Sequence, residues 1–450
     1  MKKTFALLAV LLIASLVLAA CGGTAATPTA APVEEPTTAP VEEPTAAPVE
    51  EPTAAPVEEP TADTSGACTG TPVKITVWHG WAGAYLEAIE TVFADYTAKV
   101  DPCVTIELSK VDNLNDALAV AVPAGEGPDV LAWVNDQIGK NALSGNIVPL
   151  DDQGITQDFL KETYEPAAVQ GMVWQNEIWG LPESQEGITL VLNKAVATAA
   201  DFPSDPTDFA GLLEAAKKFQ EANPDKALFC NQGLGNPDAY HAGTIYFGFG
   251  MPGYVDDQGT VYMNTPEGIA AATWMKEATA YLPKETSHEI CKAGLIEGKF
   301  GAWWSGPWAI ADLEAAGVDY ELLTFGKPFV GIKTLMLTPN AVDRGNAAAA
   351  VEVMKYFTSA DVQKSLALIN KTVPAATAAL NSPELQAEPI IQGFAKVLST
   401  GVPAANTPYA DAQWGPVGDA TTAVWTGAQT PEEAMAAAQE AIEKNIAQMQ

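Results

Sequence analysis

Basic residues are scarce in this chain. Its 450 residues hold 23 lysines and arginines against 56 aspartates and glutamates, for a formal net charge of −33. No basic run and no stripe of arginine interleaved with aromatics offers a track to a phosphate backbone, which excludes nucleic acid as a partner. Histidine is scarcer still: His79, His241 and His288 are the only three, and none is spaced with a cysteine as zinc requires. No metal and no cofactor are therefore expected. The apolar run over residues 5–20 is too short for a spanning helix of about 20 residues. With Lys2 and Lys3 ahead of it, it reads as an export signal occupying residues 1–20.

What the chain has in plenty is length and acid. At 450 residues it exceeds one compact core, so two or more lobes are expected. Leu18-Ala-Ala-Cys21 resembles the lipobox of bacterial lipoproteins, which implies cleavage before Cys21, a lipid on that cysteine and an extracytoplasmic protein held to the bacterial cell membrane. Residues 32–63 carry four copies of an eight-residue unit, Pro-Val-Glu-Glu-Pro-Thr-Ala-Ala, altered at Thr38 and Asp63. Proline and glutamate without large apolar residues cannot bury a core, so residues 21–70 are expected to be a disordered, lipid-anchored linker. Beyond Cys21 the cysteines number four, Cys68, Cys103, Cys230 and Cys291, with three possible pairings. Cys68 with Cys103 and Cys230 with Cys291 is the favoured set. Cys68 lies just ahead of one predicted strand and Cys103 opens the next, so two parallel neighbours would bring both to one sheet edge.

Strand and helix patterns alternate from residue 71 onward. Val73-Lys-Ile-Thr-Val-Trp78 alternates as a strand, residues 85–99 carry helical apolar spacing, and strands follow at 104–108 and 130–134 around a helix at 113–122. This order predicts a parallel sheet flanked by helices, with ligands beyond the carboxyl ends of its strands, at 79–83 and 133–137. Strands are also expected at 178–182 and 188–193, separated by Glu183-Ser-Gln-Glu-Gly187. A second α/β lobe follows, with a helix at 209–223, a strand at 227–230 and helices near 240–248 and 265–281. The strand at 329–337 and the helix at 347–357 look like chain returning to the first lobe. Thr430-Pro-Glu-Glu is a capped start for the last helix.

Lys299-Phe-Gly-Ala-Trp-Trp-Ser-Gly-Pro-Trp308 sets three tryptophans at one strand-to-helix junction. Residues 300–304 read as a buried strand, Gly306 permits a turn, and Pro307 suits the first position of a helix that Gly317 stops. Whichever of Trp303 and Trp304 points inward belongs to the core. Trp308, in the first helical turn, offers a flat apolar face beside free backbone N–H groups, which suits a sugar ring.

These motifs together resemble a known family. Gly125-x-Gly-Pro-Asp129-Val-Leu-x-Trp133, Leu181-Pro with Glu186 and Leu192-Asn-Lys194, Ser305-Gly-Pro-Trp308, Lys327-Pro-Phe-Val-Gly331 and Trp414 resemble, in order, the maltose-binding-protein-like solute-binding proteins of ABC importers. The resemblance implies an α/β two-lobe periplasmic-binding-protein fold of type II, each lobe a sheet flanked by helices, with the ligand cleft between them. Lobe 1 would take residues 71–185 and 328–361, and lobe 2 residues 186–327 and 362–450. Trp133, Asp136 and Glu186 match sugar-contacting positions, while Trp308 and Trp414 match aromatic platforms. His79-Gly-Trp81 stands where maltose binders place a charged pair, so Trp81 would contribute a stacking ring, and Gln137 replaces an arginine. Tyr240 is expected to reach the cleft from the second lobe, with a packing role for His241. The expected function is delivery of a sugar or oligosaccharide to a membrane permease by a monomeric, non-enzymatic receptor. A receptor for a peptide, amino acid or polyamine is the alternative, and a glycoside hydrolase working through Asp136 and Glu186 the further one.

Overall fold

The computed structural model describes residues 68–449 apart from Asp112. The export signal, Cys21 and the Pro-Glu repeat lie outside the described residues. Two sheets organise the rest, beside a small antiparallel hairpin of Val173–Trp174 and Glu177–Ile178. Their strands, in chain order, are β1 (Val73–His79), β2 (Val104–Lys110), β3 (Val130–Val134), β4 (Leu181–Glu186), β5 (Thr189–Asn193), β6 (Ala227–Cys230), β7 (Phe300–Ser305), β8 (Tyr320–Leu323), β9 (Phe329–Leu337), β10 (Val373–Pro374) and β11 (Val402–Pro403). The larger sheet runs β10-β4-β9-β3-β1-β2 with β11 beside β9, and the smaller runs β8-β5-β7-β6.

Both sheets are mixed, which corrects the expectation of a parallel sheet. β1 is parallel to β2 and to β3, and β6 is parallel to β7. β9, however, is antiparallel to both β3 and β4. Parallel neighbours need a crossover that brings the chain back to the same end of the sheet. β9 instead arrives from β8 of the other sheet, so it enters from the opposite end. β10 also joins the larger sheet, against β4, and the helix Ala360–Asn370 packs on Gly83–Lys99. The larger sheet thus takes back chain beyond residue 361, whereas the expected boundaries place residues 362–450 in the second lobe.

Burial follows from position. In β1, Ile75 and Val77 are fully buried while Lys74 and Thr76 lie at the other face, the period-two pattern of a strand covered mainly on one side. β7 lies inside the smaller sheet and is covered on both faces, so Trp303 and Trp304 are both fully buried. Trp303 packs with Cys230, Cys291 and the His288 ring, and Trp304 with Phe229 and Phe325 on the opposite face. Disulfides join Cys68 to Cys103 and Cys230 to Cys291. The first sits where β1 and β2 begin, Val73 being opposite Val104. The last helix, Pro431–Ala447, has a complete capping box between Thr430 and Glu433.

The Gly-x-Gly-Pro-Asp129 stretch proves to be a structural knot. Asp129, 1% exposed, accepts from Thr76 N and Oγ1 at 2.8 and 2.9 Å, Asn346 Nδ2 at 3.1 Å and Arg344 Nη1 at 3.3 Å. Arg344 Nη2 also donates to the carbonyls of Gly125 and Gly127. These bonds fix the start of β3, and therefore where its carboxyl end delivers Trp133 to Asp136.

Candidate functional site

Where the two sheets face each other, Asp136, Glu186, Lys333 and Gly331 from the larger lie opposite Tyr240, Trp308 and Trp414. Together with Val134, Asn135 and Ala404 they line a hollow of about 230 Å³. A smaller hollow, about 80 Å³, is lined by Gly80, Trp81, Ala132, Trp133, Val134, Glu183 and Lys333. Five of the eight expected ligand residues thus line the larger hollow, and Trp81 and Trp133 line the smaller.

Each ring is held by identifiable packing. Trp308 lies in a 3-10 turn, Pro307–Ala309, that runs into the helix Ile310–Ala315. The expected helix start is therefore one tight turn, which tips Trp308 back over Gly306. A β-carbon at 306 would overlap its ring, so only glycine permits this placement. Gly80 does the same for Trp133, whose Cζ3 lies 2.8 Å from where a β-carbon at 80 would stand. Tyr240 stacks on Phe329 at 6.0 Å and sits 6.3 Å from Trp308, while Trp414 lies 5.4 Å from Phe329. His241, 5% exposed, packs edge-on to Trp308 with its Nδ1 2.7 Å from Asp238, the packing role expected of it. Trp81 is only 6% exposed and is packed among His79, Phe93 and Phe357, more core than platform.

The polar groups are as specific. Asp136, 8% exposed, accepts from Trp414 Nε1 at 3.0 Å and Gln137 Nε2 at 3.2 Å, both on Oδ2. Its Oδ1 is buried without a protein partner. Burial raises the Asp136 carboxyl to about 6 against these two bonds, with Asp411 adding to the rise. Gln137 lines neither hollow. Its Oε1 accepts from Asn115 at 2.8 Å, so it braces Asp136 from behind. The Tyr240 hydroxyl is pushed up by burial and then by the Glu186, Asp238 and Asp136 carboxylates, and stays a donor.

Two further charged residues, Glu183 and Lys333, line the site without being expected there from the sequence. Glu183 was expected in a connection, but strand β4 runs through it, leaving it 3% exposed with Oε1 accepting from Tyr85 Oη at 2.6 Å. Burial raises its carboxyl, with Lys333 and the Tyr85 bond opposing. Lys333, in the middle of β9, pairs with Glu186 at 3.0 Å. A lysine in the middle of a mostly apolar strand is the available signal.

A further hollow of about 280 Å³ lies beside the chain crossings, lined by Asn135, Gly171, Asp256, Phe329, Asn406 and Gln413 among others. Its rings, Tyr254 and Phe329, are 0% and 3% exposed and present no stacking face. Asn406 Nδ2 there is already committed to the carbonyls of Gly171 and Val173, each at 3.0 Å. The ring-lined hollow is the better candidate.

Two α/β lobes joined by chain crossings, with rings from one and carboxylates from the other facing a shared hollow, define a two-lobed cleft suited to a small solute. Residues 91–393 match the family described as bacterial extracellular solute-binding protein, and the chain belongs to it. The chain is similar to the maltotriose-binding protein of Pyrococcus abyssi, 29% identical over 360 residues that cover 76% of each. It is also similar to the galactooligosaccharide-binding protein of Bacillus subtilis, 24% identical over 346 residues covering 72% of this chain and 78% of that one. In fold it is similar to the maltose/maltodextrin-binding domain of Bdellovibrio bacteriovorus, solved bound to maltotriose. The TM-score is 0.71 at 23% identity, covering 83% of this chain and all of that one.

Proposed function

We propose that this protein is the substrate-binding lipoprotein of an ABC importer. It takes a sugar or oligosaccharide into the cleft between its lobes and presents it to a membrane permease. The observation that carries the reading is the larger hollow itself. The Tyr240, Trp308 and Trp414 rings supply apolar planes, and Asp136 and Glu186 supply charged acceptors for vicinal hydroxyls. The relatives named for maltotriose and galactooligosaccharide binding support it. Cys21 carries the lipid, the protein works as a monomer outside the cytoplasmic membrane, and no reaction is catalysed.

The mechanism is closure. A ligand that touches both lobes only when they are shut binds that state better and shifts the population towards it. Micromolar affinity corresponds to about −8 kcal/mol, within reach of stacked rings plus a few charge-assisted hydroxyl bonds. The test is a tryptophan-fluorescence titration with maltose- and galactose-based oligosaccharides beside peptide and polyamine panels. Saturable quenching by a sugar alone is expected. Saturation by a peptide or polyamine instead, or steady release of reducing ends, would replace this reading with one of its rivals.

A further inference from the structure

Lys333 belongs to both hollows. The two share only Val134 and Lys333 among their lining residues, and Lys333 is the one cation in either lining. Its position comes from an irregularity. β9 and β4 pair Lys333 with Ser184 but Thr334 with Pro182, so Glu183 is the extra residue of a bulge. Bulges re-aim side chains, and this one leaves Glu183 lining the smaller hollow beside Lys333, while Glu186 pairs with the lysine directly. The Lys333 side chain is 30% exposed and that of Glu186 12%, so the pair is sheltered yet reachable. Burial pulls the ammonium down, but the Glu186 and Glu183 carboxylates outweigh it and the charge is kept.

We infer that Lys333 partitions the cleft into two subsites and selects ligands by length and charge. This rests on the sugar reading above. The larger hollow alone falls short of the roughly 300 Å³ at which small-molecule sites begin, and the two joined reach it. One ring fills the larger hollow. A longer chain crosses Lys333, which donates to the oxygens at the junction, and reaches Trp133 and Glu183. Asp136, Glu183 and Glu186 outnumber the single ammonium, so the occupant is a neutral sugar and not a uronate; a single unit occupies the larger hollow alone, and two or more units span both.

The test is calorimetry on the full chain and on Lys333→Met and Lys333→Arg. The titrants are glucose, maltose and maltotriose, the matching galactose series, and digalacturonate, with each variant's fold checked by circular dichroism. One charged hydrogen bond is worth about 10- to 100-fold in affinity. Lys333→Met is expected to lose that much on di- and trisaccharides while the monosaccharide changes by much less, Lys333→Arg to recover part of the loss, and digalacturonate not to bind. Equal loss at every length, no loss at any, or a monosaccharide too weak to saturate the native protein overturns the partition and leaves the sugar reading standing. Tight digalacturonate binding overturns the charge selection. If the native protein binds neither series, the sugar reading fails and this inference with it.

Discussion

Replacing Asp136 by asparagine separates stability from binding. Asp136 has a carboxyl raised from 3.8 to about 6, because burial outweighs its bonds to Gln137 and Trp414. The folded state therefore holds this proton more tightly than the unfolded state does. Its stabilising contribution is complete below pH 3.8 and is lost as pH rises through about 6. At about 1.4 kcal/mol per tenfold change in proton affinity, the loss is about 3 kcal/mol at neutral pH. An asparagine oxygen can take the place of Oδ2, keeping both donors, while its amide stands where Oδ1 has no protein partner. Asp136→Asn should thus match the native protein in acid and melt about 3–6 °C higher above pH 6. The assay is differential scanning fluorimetry across that range, without ligand. The same variant should bind sugar more weakly, since an acceptor aimed at a hydroxyl has become a donor. A melting difference independent of pH, or a variant less stable than the native protein above pH 6, would refute the placement of a strained carboxylate at this site.

Ligand affinity of the native protein should rise between pH 5 and 7, because an ionised Asp136 accepts hydroxyl bonds better than a protonated one; titrations at fixed ionic strength check it. Trp308→Ala should weaken binding about tenfold or more with little change in melting temperature, whereas Trp303→Ala, at a fully buried position, should cost about 3–5 kcal/mol of stability. Gly306→Ala should mimic Trp308→Ala in a binding assay, since its new methyl displaces the ring. Serine at Cys230 and Cys291 should lower stability by about 2–4 kcal/mol in denaturant melts, since that bridge closes a 61-residue separation inside the core.

The sheets were legible where local pattern and tertiary position agreed. β6 and the helix Ala347–Phe357 fall where their apolar spacing puts them, and Tyr240, Trp308, Trp414, Asp136 and Glu186 line one hollow. What could not be read was anything decided between strands. The antiparallel direction of β9 depends on which sheet the chain has just left. That Trp303 and Trp304 are both buried depends on cover over the second face of β7. Glu183 and Lys333 are hidden for a related reason: polar residues in an apolar context look like a connection or a mismatch until the neighbouring strand shows that they line one hollow. Gln137 is expected as a ligand contact because it stands where the resembled family has an arginine, but its side chain is spent on Asn115 and Asp136.

The Cys68–Cys103 bridge also has a mechanical consequence. Any pull on the chain ahead of Cys68 reaches the sheet at one corner, where β1 and its parallel neighbour β2 both start. Without the bridge that load would fall on β1 alone. With it, tension arriving from the N-terminal side is shared by two paired strands loaded lengthwise, on the sheet whose other strands lead to Asp136 and Glu186.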